Sequence, residues 1–101
     1  MIINFDQENL LDIIDEETTI IDFFADWCGP CKMQGVVLED LVKKEKIKVI
    51  KVNTDLYENI AKEYGIMTIP TLLLFKEHKL VGKKVGLQPI EELTDWTREN
   101  F

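Results

Sequence analysis

Thr18-Thr19-Ile20-Ile21-Asp22-Phe23-Phe24-Ala25-Asp26-Trp27-Cys28-Gly29-Pro30-Cys31 runs from a β-branched and aromatic stretch directly into a helix start. The first part reads as a buried strand interrupted by Asp22. The second holds both cysteines of the chain, with two residues between them. A Cys-x-x-Cys pair in a strand–helix context reads as a dithiol redox site. Two thiols at that spacing can close a small disulfide ring and reopen it, a two-electron switch that needs only protein atoms.

Outward from this stretch the chain alternates. Ile2 to Phe5 is a short strand candidate, and Asp6 is a candidate N-cap for a helix with Leu10, Leu11, Ile13 and Ile14 on its inner side. After the cysteines a helix runs to about Lys44, with Val37, Leu38, Leu41 and Val42 facing inward. Ile47 to Asn53 is the next strand, and a helix around Asn59 to Tyr64 stops at Gly65. Thr71 to Phe75 is apolar, a turn falls near Glu77-His78, and a strand follows through Val85. Pro89 suits the first turn of a last helix with Ile90, Leu93 and Trp96 inside. The order β-α-β-α-β-α-β-β-α predicts an α/β fold: a mixed central β-sheet flanked by helices on both faces, with a closing antiparallel hairpin.

Residues 1–101 suit a single domain, and 46% hydrophobic residues suffice for one core without metal or disulfide staples. A net charge of -7 argues against nucleic acid or an anionic membrane as partner, and Lys76, Lys79, Lys83 and Lys84 read as a solvated hairpin face. No apolar run reaches the roughly 18–20 residues of a membrane span. The start, Met1-Ile2-Ile3-Asn4, shows no basic n-region or long apolar stretch, so the reading is a cytoplasmic protein in a reducing compartment. There is no phosphate-binding glycine loop and no metal set: Cys28 and Cys31 with a distant His78 fall short of the four ligands of a structural zinc site. The expectation is therefore no bound cofactor and no metal beyond a redox-active Cys28–Cys31 disulfide.

Position assigns the chemistry. Cys28 opens a helix, where unpaired N–H groups and the helix dipole favour a thiolate, so Cys28 is the attacking sulfur, in an exposed loop beside Trp27. Cys31, one turn in, is less accessible and closes the ring by an intramolecular attack. Between them Gly29 and Pro30 tune the switch: Pro30 fixes its φ and removes a donor near the sulfurs, besides being a good first-turn residue. Ile20, Asp22 and Phe24 share one strand face and Ile21, Phe23 and Ala25 the other; neither face is polar, so Asp22 is expected to be buried with a raised pKa. A carboxyl of that kind can take a proton from Cys31. The other reading is a structural Asp bonded to backbone or to Lys51.

Over essentially its whole length the chain resembles the thioredoxin family. The resemblance is carried by Asp22-Phe23-Phe24-Ala25-Asp26-Trp27-Cys28-Gly29-Pro30-Cys31-Lys32, then Lys51-Val52-Asn53, Tyr64-Gly65-Ile66, Ile69-Pro70-Thr71-Leu72-Leu73-Leu74-Phe75-Lys76 and Val85-Gly86. It implies the thioredoxin fold and a monomeric protein-disulfide reductase and electron carrier. Its partners would be disulfide-containing proteins and a thioredoxin reductase, NADPH/flavin type or ferredoxin-linked. It assigns Asp22 the proton-accepting role, directly or through a water, and makes Lys51 its charge neighbour, where an ordinary surface lysine is the alternative. It makes Ile69-Pro70 a cis bond lying against the disulfide, with Ile69, flanked by Thr68, offering its backbone to substrate; a trans proline starting a strand is the alternative. Trp27, Gly29, Pro30, Met67, Ile69 and Gly86 would form an apolar docking rim around Cys28.

The chain departs from the family pattern at Val36, where a helix-kinking proline is common, and at Phe24, where a second tryptophan is frequent. The hairpin turn lacks the usual Asn-Gly. Two competing readings stand beside the reductase: a disulfide oxidase or isomerase on the same fold, against which Gly-Pro between the cysteines counts, and a structural or interaction module that would not need Cys28.

Overall fold

The computed structural model describes residues 1–14 and 17–99. Its elements are β1 (Ile2–Asn4), α1 (Leu10–Ile13), β2 (Thr19–Phe24), α2 (Gly29–Lys44), β3 (Lys48–Asn53), α3 (Glu58–Glu63), β4 (Thr71–Lys76), β5 (Lys79–Val85) and α4 (Ile90–Arg98). The five strands form one sheet in the order β1-β3-β2-β4-β5. β1, β3 and β2 are parallel, and β4 and β5 are antiparallel to their neighbours. The α/β order read from the sequence is the one observed.

The winding explains why both faces are covered. The β1–α1–β2 crossover steps over the place that β3 later fills, and β2–α2–β3 steps back, so crossovers of one hand put α1 and α2 on opposite faces. On the α1/α3 face Phe5, Leu10, Ile21, Phe23, Ile50, Val52, Leu73 and Phe75 pack together. On the α2/α4 face Ile20, Leu38, Leu41, Val49, Leu72, Leu74, Leu93 and Trp96 form the second core, with Val37, Val42 and Ile90 at its margin. Each fully buried Leu, Ile or Phe contributes on the order of 1.5–3 kcal/mol of transfer free energy.

Local chemistry sets the ends. α1 is capped by Asn9, whose side chain accepts from the Leu11 N–H at 3.0 Å, and not by Asp6. The helix is consequently only four residues long, and Leu11 points to solvent instead of inward. α3 ends in a Schellman motif: Gly65 sits at φ 65°, the Ile66 N–H donates to Ala61 O and the Gly65 N–H to Lys62 O. Pro89 is the N-cap of α4, one place before the predicted first turn. α2 runs without interruption through Gly35 and Val36.

The hairpin turns at Glu77 and His78 with φ of 50° and 69°, the left-handed pair that a two-residue turn between twisted strands demands. A register shift follows, Leu74 facing Gly82 and Phe75 facing Leu80. The lysines of this hairpin do not form one solvated face. Alternation sends Lys83 and Lys84 to opposite sides of the sheet; the Lys83 Nζ lies 3.4 Å from Gly65 O, while Lys84 pairs with Glu92 at 2.8 Å and lies 5.4 Å from the Trp96 ring.

Gly82 is where the hairpin meets α4. A Cβ there would stand 2.8 Å from Trp96 Nε1, and the indole is held in the second core. Gly82→Ala is expected to destabilise the fold by about 1–3 kcal/mol, seen as a lower urea midpoint at unchanged slope. An unchanged midpoint would show that the hairpin and α4 move apart freely.

Candidate active site

The site lies off the carboxyl end of β2, where the chain leaves the sheet and opens α2. Cys28 and Cys31 are joined in a disulfide, with Cα atoms 5.2 Å apart. Cys28 is the N-cap of α2, and its Sγ accepts from the Cys31 N–H at 3.2 Å. The free N–H groups and dipole of the helix start therefore favour negative charge on this sulfur. Gly29 and Pro30 form the first turn, and Pro30 contributes no N–H to it.

The cysteines are less different in access than the sequence implies. Cys28 is 4% exposed and Cys31 2%, so Cys28 is not in an exposed loop. Ala25 clusters with both cysteines, and Phe24 and Ile69 pack against this cluster. The Ile69–Pro70 peptide is cis, and the Ile69 carbonyl oxygen is 4.0 Å from Cys28 Sγ. Gly86, at φ 89°, donates its N–H to Pro70 O at 2.8 Å, bringing the end of β5 against the same loop.

Around this disulfide the expected rim residues divide. Trp27 is 72% exposed and Met67 93%; Gly29, Pro30 and Thr68 are also exposed, Ile69 and Gly86 half-buried, and Pro70 buried. Val36, with Met33, Leu87 and Pro89, lines an apolar groove of about 460 Å³ between α2 and the β5–α4 loop.

Asp22 lies inside the sheet on the face covered by α2. It is fully buried, and neither carboxylate oxygen has a hydrogen-bond partner among the described residues. This removes the reading of Asp22 as an Asp bonded to backbone or to Lys51. Burial pushes its carboxyl from 3.8 up to about 6, and the Lys51 ammonium pulls in the opposite direction without cancelling the effect. Lys51 is not an ordinary surface lysine. It faces Asp22 in register across the parallel β2–β3 pair, is half-buried, and holds its Nζ 4.6 Å from the Phe24 ring centroid. A recess of about 380 Å³ lined by Phe24, Ala25, Asp26, Cys31, Lys32 and Lys51 opens beside the second cysteine.

Two residues near the site are not singled out by the sequence. Asp55 accepts from Trp27 Nε1 at 2.9 Å, tethering the indole of the residue before Cys28; it sits in an Asx turn in which Asn53 Oδ1 accepts from the Asp55 N–H at 2.9 Å. Gln34 is fully buried and bonded to the Gln88 backbone. Its signal was present: Cys31, Gln34, Leu38 and Leu41 form one helical stripe in which glutamine is the polar exception. Nothing local in sequence links Asp55 to Trp27. Among the described residues no group of three or more His, Cys, Asp or Glu could hold a metal ion, and no helix is long and apolar enough to cross a membrane.

A thioredoxin family model matches residues 2–99. A thioredoxin of Rickettsia felis is 45% identical over 84 residues, covering 81% of this chain and 80% of that protein. One of Bacillus subtilis is 43% identical over 88 residues, covering 85% of each. The reduced thioredoxin pre-protein of Schistosoma mansoni superposes with a TM-score of 0.86 at 32% identity, covering 96% of this chain and 95% of that structure.

The raised pKa of Asp22 makes stability depend on pH. Below 3.8 the carboxyl is neutral folded and unfolded, and its burial carries no ionisation cost. Between 3.8 and about 6 only the unfolded chain ionises, so stability falls as pH rises; above that range the deficit is on the order of 3 kcal/mol. Asp22→Asn removes the ionisation. Urea unfolding at pH 4, 6 and 8 is expected to show the variant more stable than the parent at pH 8 by about 1–3 kcal/mol, with a flatter profile. Parallel profiles would mean that the carboxyl titrates normally.

Proposed function

From the premise that the chain belongs to the thioredoxin family and is a thiol–disulfide oxidoreductase, we propose that it serves as a general protein-disulfide reductase and electron carrier in which Cys28 attacks and Cys31 resolves. The observation that carries the assignment is the N-cap geometry, with Cys28 Sγ at the helix start, 3.2 Å from the Cys31 N–H.

In the dithiol form the Cys28 thiolate attacks one sulfur of a partner disulfide. That S–S bond breaks, the leaving thiolate takes up a proton, and a mixed disulfide joins Cys28 to the partner. Cys31 then gives its proton to the Asp22 carboxylate, directly or through a water. The Cys31 sulfur attacks Cys28 Sγ, the mixed disulfide breaks, and the partner leaves reduced. Two electrons have passed from the chain to the partner, and Cys28–Cys31 is again the observed disulfide. Lys51 limits how far burial raises the Asp22 pKa, keeping the carboxylate populated near neutral pH.

Trp27, Met67, Thr68, Ile69, Pro70 and Gly86 are the proposed docking surface, with Gly29 and Pro30 tuning the switch. The half-buried Ile69 backbone beside Cys28 supports binding of an extended segment by main-chain contacts, which suits many substrates. We further propose a single domain acting as a cytoplasmic monomer without a bound cofactor. It would be recharged by a thioredoxin reductase, of the flavin type using NADPH or linked to ferredoxin. A radius of gyration of 12.3 Å supports one compact unit.

Cys31→Ser is expected to accumulate a mixed disulfide with a protein substrate, detected by mass spectrometry, while Cys28→Ser forms none; trapping through Cys31 in the latter variant would reverse the assignment. The wild-type couple, equilibrated with a dithiothreitol redox buffer, is expected near the family-typical value of about -270 mV. A value between about -120 and -180 mV would favour the oxidase or isomerase reading. Asp22→Asn should slow mixed-disulfide resolution at pH 7 by up to about a hundredfold while leaving its formation by Cys28 intact.

A further inference from the structure

Gln34 is the buried polar side chain of α2, one turn beyond Cys31, and it is fully buried. Both ends of its carboxamide are used on one residue of the β5–α4 loop. The Gln34 Nε2 donates to Gln88 O at 3.2 Å, and the Gln88 N–H donates to Gln34 Oε1 at 2.7 Å. A two-point bond from a planar amide fixes both the distance and the orientation of the loop relative to α2.

The loop is held at its other end as well. The Gly86 N–H donates to Pro70 O at 2.8 Å, and the Gln88 side-chain amide donates to Val85 O and Gly86 O at 3.3 and 3.2 Å. Gly86 to Gln88 thus bridges α2, which carries both cysteines, and the turn that places Ile69 against Cys28. An apolar side chain at position 34 would fill the core but leave the Gln88 N–H and carbonyl without these partners.

We infer that Gln34 is a positioning residue for substrate: by clamping Gln88 it sets the spacing between the cysteine-bearing helix and the Ile69–Gly86 side of the docking rim. It touches neither sulfur nor partner, and it governs how well a protein disulfide seats, not the thiol exchange itself. The inference rests on the docking surface proposed above. It also separates two classes of substrate. A protein disulfide needs both sides of the rim in register, whereas a small disulfide needs only access to Cys28.

The test uses pre-reduced full-length wild type and Gln34→Met, which removes both bonds at similar volume. Single-turnover reduction of insulin and of hydroxyethyl disulfide is followed, and the Cys28–Cys31 potential is measured for each protein. The half-saturating insulin concentration is expected to rise about five- to tenfold in the variant, with limiting rate, hydroxyethyl disulfide rate and potential unchanged. An unchanged half-saturation, or a loss that strikes both substrates equally, overturns the proposal. Amide exchange in the wild type provides a check that does not need the variant to fold: the Gln88 N–H should exchange at least about a hundredfold more slowly than an unprotected amide. Free exchange there overturns the clamp. A wild type that reduces hydroxyethyl disulfide but not insulin overturns the docking surface and the clamp together, and one that reduces neither overturns the reductase reading itself.

Discussion

β2 is hydrogen-bonded along both edges, to β3 and to β4, and covered on both faces by helices. Water can reach almost none of it, so every residue it carries must be apolar or justified by something else. Ile21 and Phe23 anchor one core and Ile20 the other, and the strand delivers the chain to Cys28 from the most constrained position in the sheet. The rigidity of the site is inherited from this strand. The helix that carries the disulfide starts five residues after β2 ends, and the turn that carries Ile69 leads into β4, which pairs with β2.

Within that strand Asp22 is a local contradiction. A fully buried carboxyl with no hydrogen-bond partner among the described residues opposes folding whenever it is charged, and an apolar residue would pack there without that cost. Departures from foldability of this kind concentrate where function requires them. Lys51 explains why the contradiction is tolerable. Its ammonium, half-buried over Phe24, offsets part of the desolvation and so limits the rise of the carboxyl to about 6.

The order of elements along the chain was legible because each carries its own periodicity and its own stop: the β-branched run before Cys28, the Leu38–Leu41 stripe, Gly65 after α3. Burial of Asp22 could be read because both faces of its strand are apolar. What escaped reading depended on tertiary neighbours. Asp6 and Asn9 are both good caps, but Gln7 at φ 63° cannot belong to a right-handed helix, so α1 starts after Asn9, is short and leaves Leu11 outward. The access of Cys28 depends on Ile69, 41 residues away. The lysines near the hairpin looked like one patch because proximity in sequence hides the alternation of faces along a strand. Gln34 was visible as the wrong residue type in an apolar stripe, but its partner is 54 positions distant and contributes backbone atoms, which carry no mark in the sequence.

The disulfide closes a ring between residues only three apart, both at the first turn of one helix. Such a ring constrains few conformations of the unfolded chain, unlike a staple between distant segments. The cysteine pair therefore works as a two-electron carrier, and its bond adds little as mechanical reinforcement. Oxidation, reduction, folding and unfolding nonetheless form a closed thermodynamic cycle. Any difference in folding free energy between the two redox states must equal the difference between the potential of the folded couple and that of the same couple in the unfolded chain, about 30 mV for each 1.4 kcal/mol. The architecture around α2 is thus an electrochemical setting as much as a scaffold: a core substitution that favours the dithiol form over the disulfide makes the protein a weaker reductant without touching either sulfur.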